Sequence, residues 1–164
     1  MNKDGIKRLT EFVVEHSAQT KILMGDVTIA IETFMSDHEK SKELESFWMR
    51  TIVRNLAALV EGYSNLVKGL TLHIADAREI VISPADRMIL EANQVQVTAK
   101  GEAKPGKMKI PTTVNLQFAI NALAKIAGDS NLVIDKNSKG WKSLEKIIEI
   151  RHQITHPRNS KEMN

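Results

Sequence analysis

The chain has 164 residues, 42% hydrophobic and 26% charged, a balance that suits one globular domain with a sizeable core and excludes a disordered chain. Lys and Arg number 23 against 20 Asp and Glu, so the formal charge is only +3, too small an excess to identify a nucleic-acid partner by itself. Cysteine is absent, which excludes disulfides, thiolate metal sites and a cysteine nucleophile, and aromatic residues make up only 4%, which argues against base-stacking platforms.

From the start of the chain, Ile6, Leu9, Phe12, Val13, Leu23, Met24, Val27, Ala30, Ile31 and Phe34 recur three and four residues apart. That spacing predicts one long helix over 4–37, with Gly25 tolerated inside it. His16 falls within the apolar stripe, where a hydrogen-bonded core histidine is the plainer expectation than a reactive one. The first residues lack the apolar core of a signal peptide and no run reaches membrane-spanning length, so a cytoplasmic chain without membrane contact is expected. A polar stretch over 36–46 makes a turn. The second helix then carries Phe47, Ile52, Val53, Leu56, Leu59, Val60, Tyr63, Leu66, Val67 and Leu70 on one face. Its other face, Arg50, Arg54, Ala57, Glu61, Ser64 and Lys68, reads as solvated, although its small residues could also receive another helix.

Residues 74–83 are open between a fraying helix and a short extended piece. Ser83-Pro84 is a helix start, an N-cap followed by proline at the first helical position, and the helix it opens reaches about Ala92. Val95, Val97 and Ala99 then alternate with polar residues, and Lys104-Pro105-Gly106-Lys107 has the composition of a turn, so 94–110 reads as a β-hairpin. Four lysines (100, 104, 107, 109) and Glu102 give this hairpin the whole chain's formal excess of charge. The plain reading is a solvated edge protected by lysines; the sharper one has Lys104 and Lys107 on RNA phosphates. Residues 112–127 are apolar nearly all round and end at Gly128, and a final helix runs from about Gly140 to His156, stopped by Pro157 and followed by a frayed tail over 158–164. The expected architecture is a single all-α, up-down helical bundle over 1–164 with one small hairpin inserted.

The last helix concentrates the reactive side chains. Trp141, Leu144, Ile147, Ile148, Ile150 and Ile154 share one broad arc, and Arg151 points into the middle of it, where a guanidinium is costly unless it is paired or faces an opening. His152 adjoins it and His156 lies five positions on. A metal site is one reading, since the two histidines are four apart, but HQITH places Gln153 where a zinc protease needs its glutamate base. A structural reading has Arg151 bridging Glu61, Glu145 or Glu149. The third reading is metal-free phosphodiester chemistry: histidine can accept the 2′-OH proton and protonate the leaving 5′-oxygen, and a guanidinium can fork onto the phosphorane. One histidine serves poorly as base and acid in a single step, so two copies of this helix meeting at a dimer axis would complete such a site.

The segment GWKSLEKIIEIRHQITHPRNS (140–160) resembles the terminal helix of HEPN-domain proteins, whose signature is Arg, a polar residue, three further residues and His near the end of an all-α bundle. Arg151, His152 and His156 match the three motif positions, and RNLAALVEGYSNLVK (54–68), SPADRMILE (83–91) and TTVNLQFAINALAKIAG (112–128) fit more loosely. The resemblance implies a homodimeric endoribonuclease of toxin or phage-defence type, acting on RNA without metal or cofactor and leaving 2′,3′-cyclic phosphates. An antitoxin or nucleotidyltransferase-type protein would be its partner. Arg151 would stabilise the phosphorane, His156 transfer protons and His152 orient it or bind phosphate. Thr155, Arg54 and Glu61 complete the candidate set, Thr155 and Arg54 toward substrate and Glu61 holding Arg151. The alternative is a non-catalytic helical module that binds a protein, RNA or a nucleotide.

Overall fold

The apolar repeat that begins at Ile6 folds as one unbroken helix, α1 (Lys3–Ser36), which passes through Gly25 without interruption. A computed structural model describes residues 3–36, 41–97, 100, 102–107 and 110–155. After α1 come α2 (Lys42–Arg78), α3 (Pro84–Leu90), strands β1 (Asn93–Val97) and β2 (Ala103–Lys107), α4 (Thr112–Ala127) and α5 (Lys139–Thr155). The body is all-helical. Ser83 caps α3 as its sequence requires, its Oγ accepting from the Asp86 N–H at 3.1 Å with Pro84 in the first turn. Gly128 ends α4 in the left-handed conformation, φ 74°.

The second helix is longer than its apolar repeat shows. It takes in 74–78, and only the residues after Arg78 leave the helix. Its end is a 6→1 turn, with the Ile80 N–H on the Ala75 carbonyl at 2.9 Å and Glu79 at φ 57°. The face read as solvated, or as able to receive another helix, divides: Arg54 is exposed and Glu61 half-exposed, while its small residues and Lys68 lie inside. Ala57, Ser64, Thr71 and Ala75 have no exposed surface and Lys68 keeps only 4%. Residues of this size can be covered completely by their neighbours, and the Thr71 hydroxyl turns back to the Val67 carbonyl at 2.8 Å, so it brings no unpaired donor inside.

The chain forms two compact units, which share α1 and α2 between them. One comprises Met1–His16 with Ser64–Val133. Here α1 comes so close to α2 that a Cβ on Gly5 would lie 2.7 Å from the Ala77 Cα, and one on Gly69 would run into the Phe12 ring. That ring stacks on His16 at 3.9 Å and meets His73 at 4.7 Å, and His16 hydrogen-bonds the Phe12 carbonyl at 3.1 Å, the core role its sequence position suggests. Arg78 places its guanidinium on the last carbonyls of α4, Ile126 and Ala127, both at 3.3 Å, where a helix end favours a cation. The other unit comprises Ser17–Tyr63 with Ile134–Asn164. In it Leu23 lies over Gly62, and the Asn55 amide donates to the Asp26 carbonyl at 3.3 Å.

The β1–β2 pair is antiparallel, with Asn93 opposite Lys107, Val95 opposite Pro105 and Val97 opposite Ala103. The expected turn at Lys104–Lys107 is therefore wrong: these residues form β2, and the chain reverses between Val97 and Ala103. Pro105 is tolerated because both members of a two-stranded ribbon are edges, so a missing N–H need not break a ladder.

Lys68 is the buried cation of the first unit. Its ammonium donates to the Ile89 carbonyl at 3.0 Å, in the last turn of α3, and burial pushes its pKa below the usual lysine value. The folded state thus releases this proton at a lower pH than the unfolded chain, and stability from this group rises with pH between the lowered value and the ordinary one near 10.4. Urea unfolding from neutral pH to about pH 10 is expected to show wild type gaining stability relative to Lys68→Met as pH rises. A constant difference between the two would contradict the burial of a charged lysine.

Candidate functional site

The loop before α5 fixes where that helix begins. Asp135 Oδ1 accepts the Asn137 N–H at 2.8 Å, the Ser138 hydroxyl donates to the Asp135 carbonyl at 2.7 Å, and Ser138 Oγ accepts the Trp141 N–H at 3.2 Å. Ser138 is thus the N-cap, a signal that the sequence reading, which began the helix at Gly140, passed over. Trp141 is buried and its indole N–H donates to Glu145 at 2.8 Å, which locks the first turn. Beyond it Leu144, Ile147, Ile148, Ile150 and Ile154 are each half-buried.

Arg151 follows on this same face, and the structure shows which acid answers it. Its Nη1 lies 3.3 Å from Glu61 Oε1 on α2. Of the three carboxylates that its sequence position allowed, Glu61 is the one, and Glu145 instead holds Trp141. The side chains of Arg151 and Glu61 remain 36% and 43% exposed, so water screens the pair. The counter-charge comes from the same chain, so the arginine needs no second copy to be compensated. Among candidate residues, then, α2 and α5 bring together Arg151 and Glu61.

The others are placed less tightly. Thr155 donates its hydroxyl proton to the Arg151 carbonyl one turn back, so its expected approach to substrate leaves only the oxygen lone pairs. His152 is exposed at the end of α5. Arg54 is exposed two turns before Glu61 on α2 and makes no hydrogen bond or ion pair with another described residue. Lys104 and Lys107 stand on β2 opposite Gln96 and Asn93, in the first unit. His156 and the tail after it lie outside the described residues. No cluster of three or more His, Asp or Glu with the arrangement of a metal site occurs among the described residues, and none of their helices is long and apolar enough to cross a membrane. The first unit also holds an apolar cleft of about 290 Å³ beside Ile80, Val81, Leu90, Phe118 and Ile126, which periodicity could not reveal because three separate elements line it.

The chain matches no protein-family model, no curated protein and no solved structure.

A half-exposed ion pair contributes roughly 0.2–1 kcal/mol. A double-mutant cycle on Glu61→Gln and Arg151→Gln, read by urea unfolding, is expected to give a coupling in that range that shrinks as salt is added. A coupling of several kcal/mol would show a buried bridge with a purely structural role.

Proposed function

We propose that this chain is a HEPN-type, metal-independent endoribonuclease of toxin or defence type that acts as a homodimer. The observation that carries the reading is Arg151, a guanidinium set in the apolar face of α5, paired with Glu61 and still 36% exposed. An arginine held this way keeps its fork oriented while still offering N–H donors to a phosphate. The chemistry is attack of the ribose 2′-OH on phosphorus with expulsion of the 5′-oxygen, giving a 2′,3′-cyclic phosphate and a 5′-hydroxyl. Arg151 stabilises the charge that builds on the phosphorane oxygens. His156 transfers the protons, an assignment made on its place in the sequence motif, and His152 orients it or binds phosphate. Glu61 cancels one positive charge at the site, so Arg54 on the same helix and His152 supply the remaining attraction for RNA. A cell that carries such an activity needs a restraint on it, for which an antitoxin or nucleotidyltransferase-type partner is the proposed source.

The same ion pair also favours a second reading. An arginine already answered by a carboxylate of its own chain is what a non-catalytic helical module would show, with Arg151 serving the α2–α5 contact. One experiment separates the two. Purified protein is incubated with total RNA in excess chelator, beside Arg151→Ala and His156→Ala, with thermal unfolding to verify that both variants fold. The ribonuclease reading expects cleavage that leaves cyclic phosphates and falls by about 100-fold or more in each variant. Equal background cleavage in all three would end it.

A further inference from the structure

The cleft beside α3 and α4 belongs to the first unit, which does not hold Arg151, and its shape follows from one small residue. Phe118, Ala122 and Ile126 succeed one another at four-residue steps on α4, so they form one ridge, and the alanine leaves a notch between two large side chains. Thr71 of α2, Leu90 of α3 and residues 80–83 close that notch into a cleft of about 290 Å³. Thr71, Leu90 and Ile126 are buried and make its deep end. Water is poorly served there, because the Thr71 hydroxyl already donates its proton to the Val67 carbonyl and the leucine and isoleucine side chains are hydrocarbon. The volume is about twice the roughly 150 Å³ of an apolar cavity that takes up benzene, room for a body of about ten carbons. Val81, which also lines the cleft, is 93% exposed, an aliphatic side chain left facing water beside the opening.

The mouth of the cleft sets the head group of what it takes. Asn121 and Lys125 stand one turn apart on α4, both exposed and both lining the cleft. Lys125 pairs with Asp86 of α3 at 3.7 Å, well beyond the roughly 2.7–2.9 Å of a charge-assisted hydrogen bond, and its side chain is 76% exposed. Its three N–H donors are therefore only loosely engaged. The side-chain amide of Asn121 makes no hydrogen bond with another described residue. Two open donors on adjacent turns of one helix suit a planar anion with two acceptor oxygens. We propose that the cleft is a binding site for a monocarboxylic acid with an apolar tail of about ten carbons, the tail in the notch at Ala122 and the carboxylate on Lys125 and Asn121. Asp86 then holds the ammonium over the mouth without closing on it. An amine head would meet the charge of Lys125 with Asp86 alone to answer it, and a doubly charged phosphate would bring a second negative charge against Asp86. The ribonuclease reading plays no part in this assignment, and its test involves no RNA.

The test is calorimetric titration of the full chain with three probes that share one tail: decanoate, decanol and decylamine. Decanoate is expected to bind saturably, about fivefold or more tightly than decanol, with decylamine weaker than decanol. Lys125→Gln, at an exposed position, is expected to bring decanoate down to the affinity of decanol and to leave decanol itself unchanged. Ala122→Phe fills the notch and is expected to weaken all three probes by about tenfold or more, with thermal unfolding to verify that the variant folds. Amide chemical shifts of the wild-type chain locate the site whether or not that variant folds. Decanoate is expected to move Leu90, Ala122 and Ile126, and not Met24 or Ile29, which are exposed apolar residues of α1. No saturable binding, decanol or decylamine binding as tightly as decanoate, a preference for decanoate that survives Lys125→Gln, binding indifferent to a folded Ala122→Phe, or shifts gathered on α1 would each overturn the proposal.

Discussion

Helix α1 can lie close along α2 only because the positions where the two approach most nearly carry little or no side chain. The Phe12 ring occupies the place where Gly69 lacks a Cβ, Gly5 lies against the Ala77 backbone, and Leu23 covers Gly62. On another face of α2, well round the helix from Gly62 and Gly69, Ala57, Ser64, Thr71 and Ala75 also have no exposed surface. Small residues give up their own apolar area but let the neighbours' larger side chains and backbones approach, and dispersion summed over many such contacts is large. An added methylene group in a filled interior typically costs about 1–3 kcal/mol, a sizeable share of the roughly 5–15 kcal/mol by which a domain is stable.

The polar groups of α2 act from this same helix. In the first unit Lys68 reaches the Ile89 carbonyl at the end of α3, and Arg78 reaches the final carbonyls of α4. In the second unit Glu61 reaches Arg151 on α5. Each charge thus ties α2 to a group on another element. For the proposed site this means that Arg151 is oriented from a long, well-buried helix rather than from a loop, the arrangement that keeps a functional group in one geometry. The same carboxylate reduces the attraction of the site for phosphate, so orientation and charge are set against each other at Glu61.

The elements with local signals were legible in the sequence. The repeat of α1, the Ser83-Pro84 start of α3 and the Gly128 stop of α4 are each written in residues whose physical role does not depend on neighbours. The end of α2 was not, because its left-handed residue is Glu79 rather than glycine, so no composition marks the turn. The ribbon's reversal was misplaced because proline and glycine at an exposed edge can stand in a strand as well as a turn. The buried face of α2 was hidden for a different reason: alanine, serine and threonine are compatible with water or with a close neighbour, and only tertiary structure decides. At the site, periodicity identified Arg151 as out of place on α5, and three acids were open to it; that Glu61 is the partner depends on how α2 and α5 meet, which spacing along one helix does not encode.

The close approach at Gly69 admits a direct measurement, the urea unfolding free energies of Gly69→Ala in two backgrounds. Alone, alanine should gain up to about 1 kcal/mol of helix propensity but lose more by colliding with the Phe12 ring, which the stack on His16 restrains. With Phe12→Ala already in place the collision is gone and only the propensity gain remains. The account therefore expects Gly69→Ala to destabilise the wild-type chain and to stabilise the Phe12→Ala chain. Stabilisation of the wild type by Gly69→Ala would contradict it.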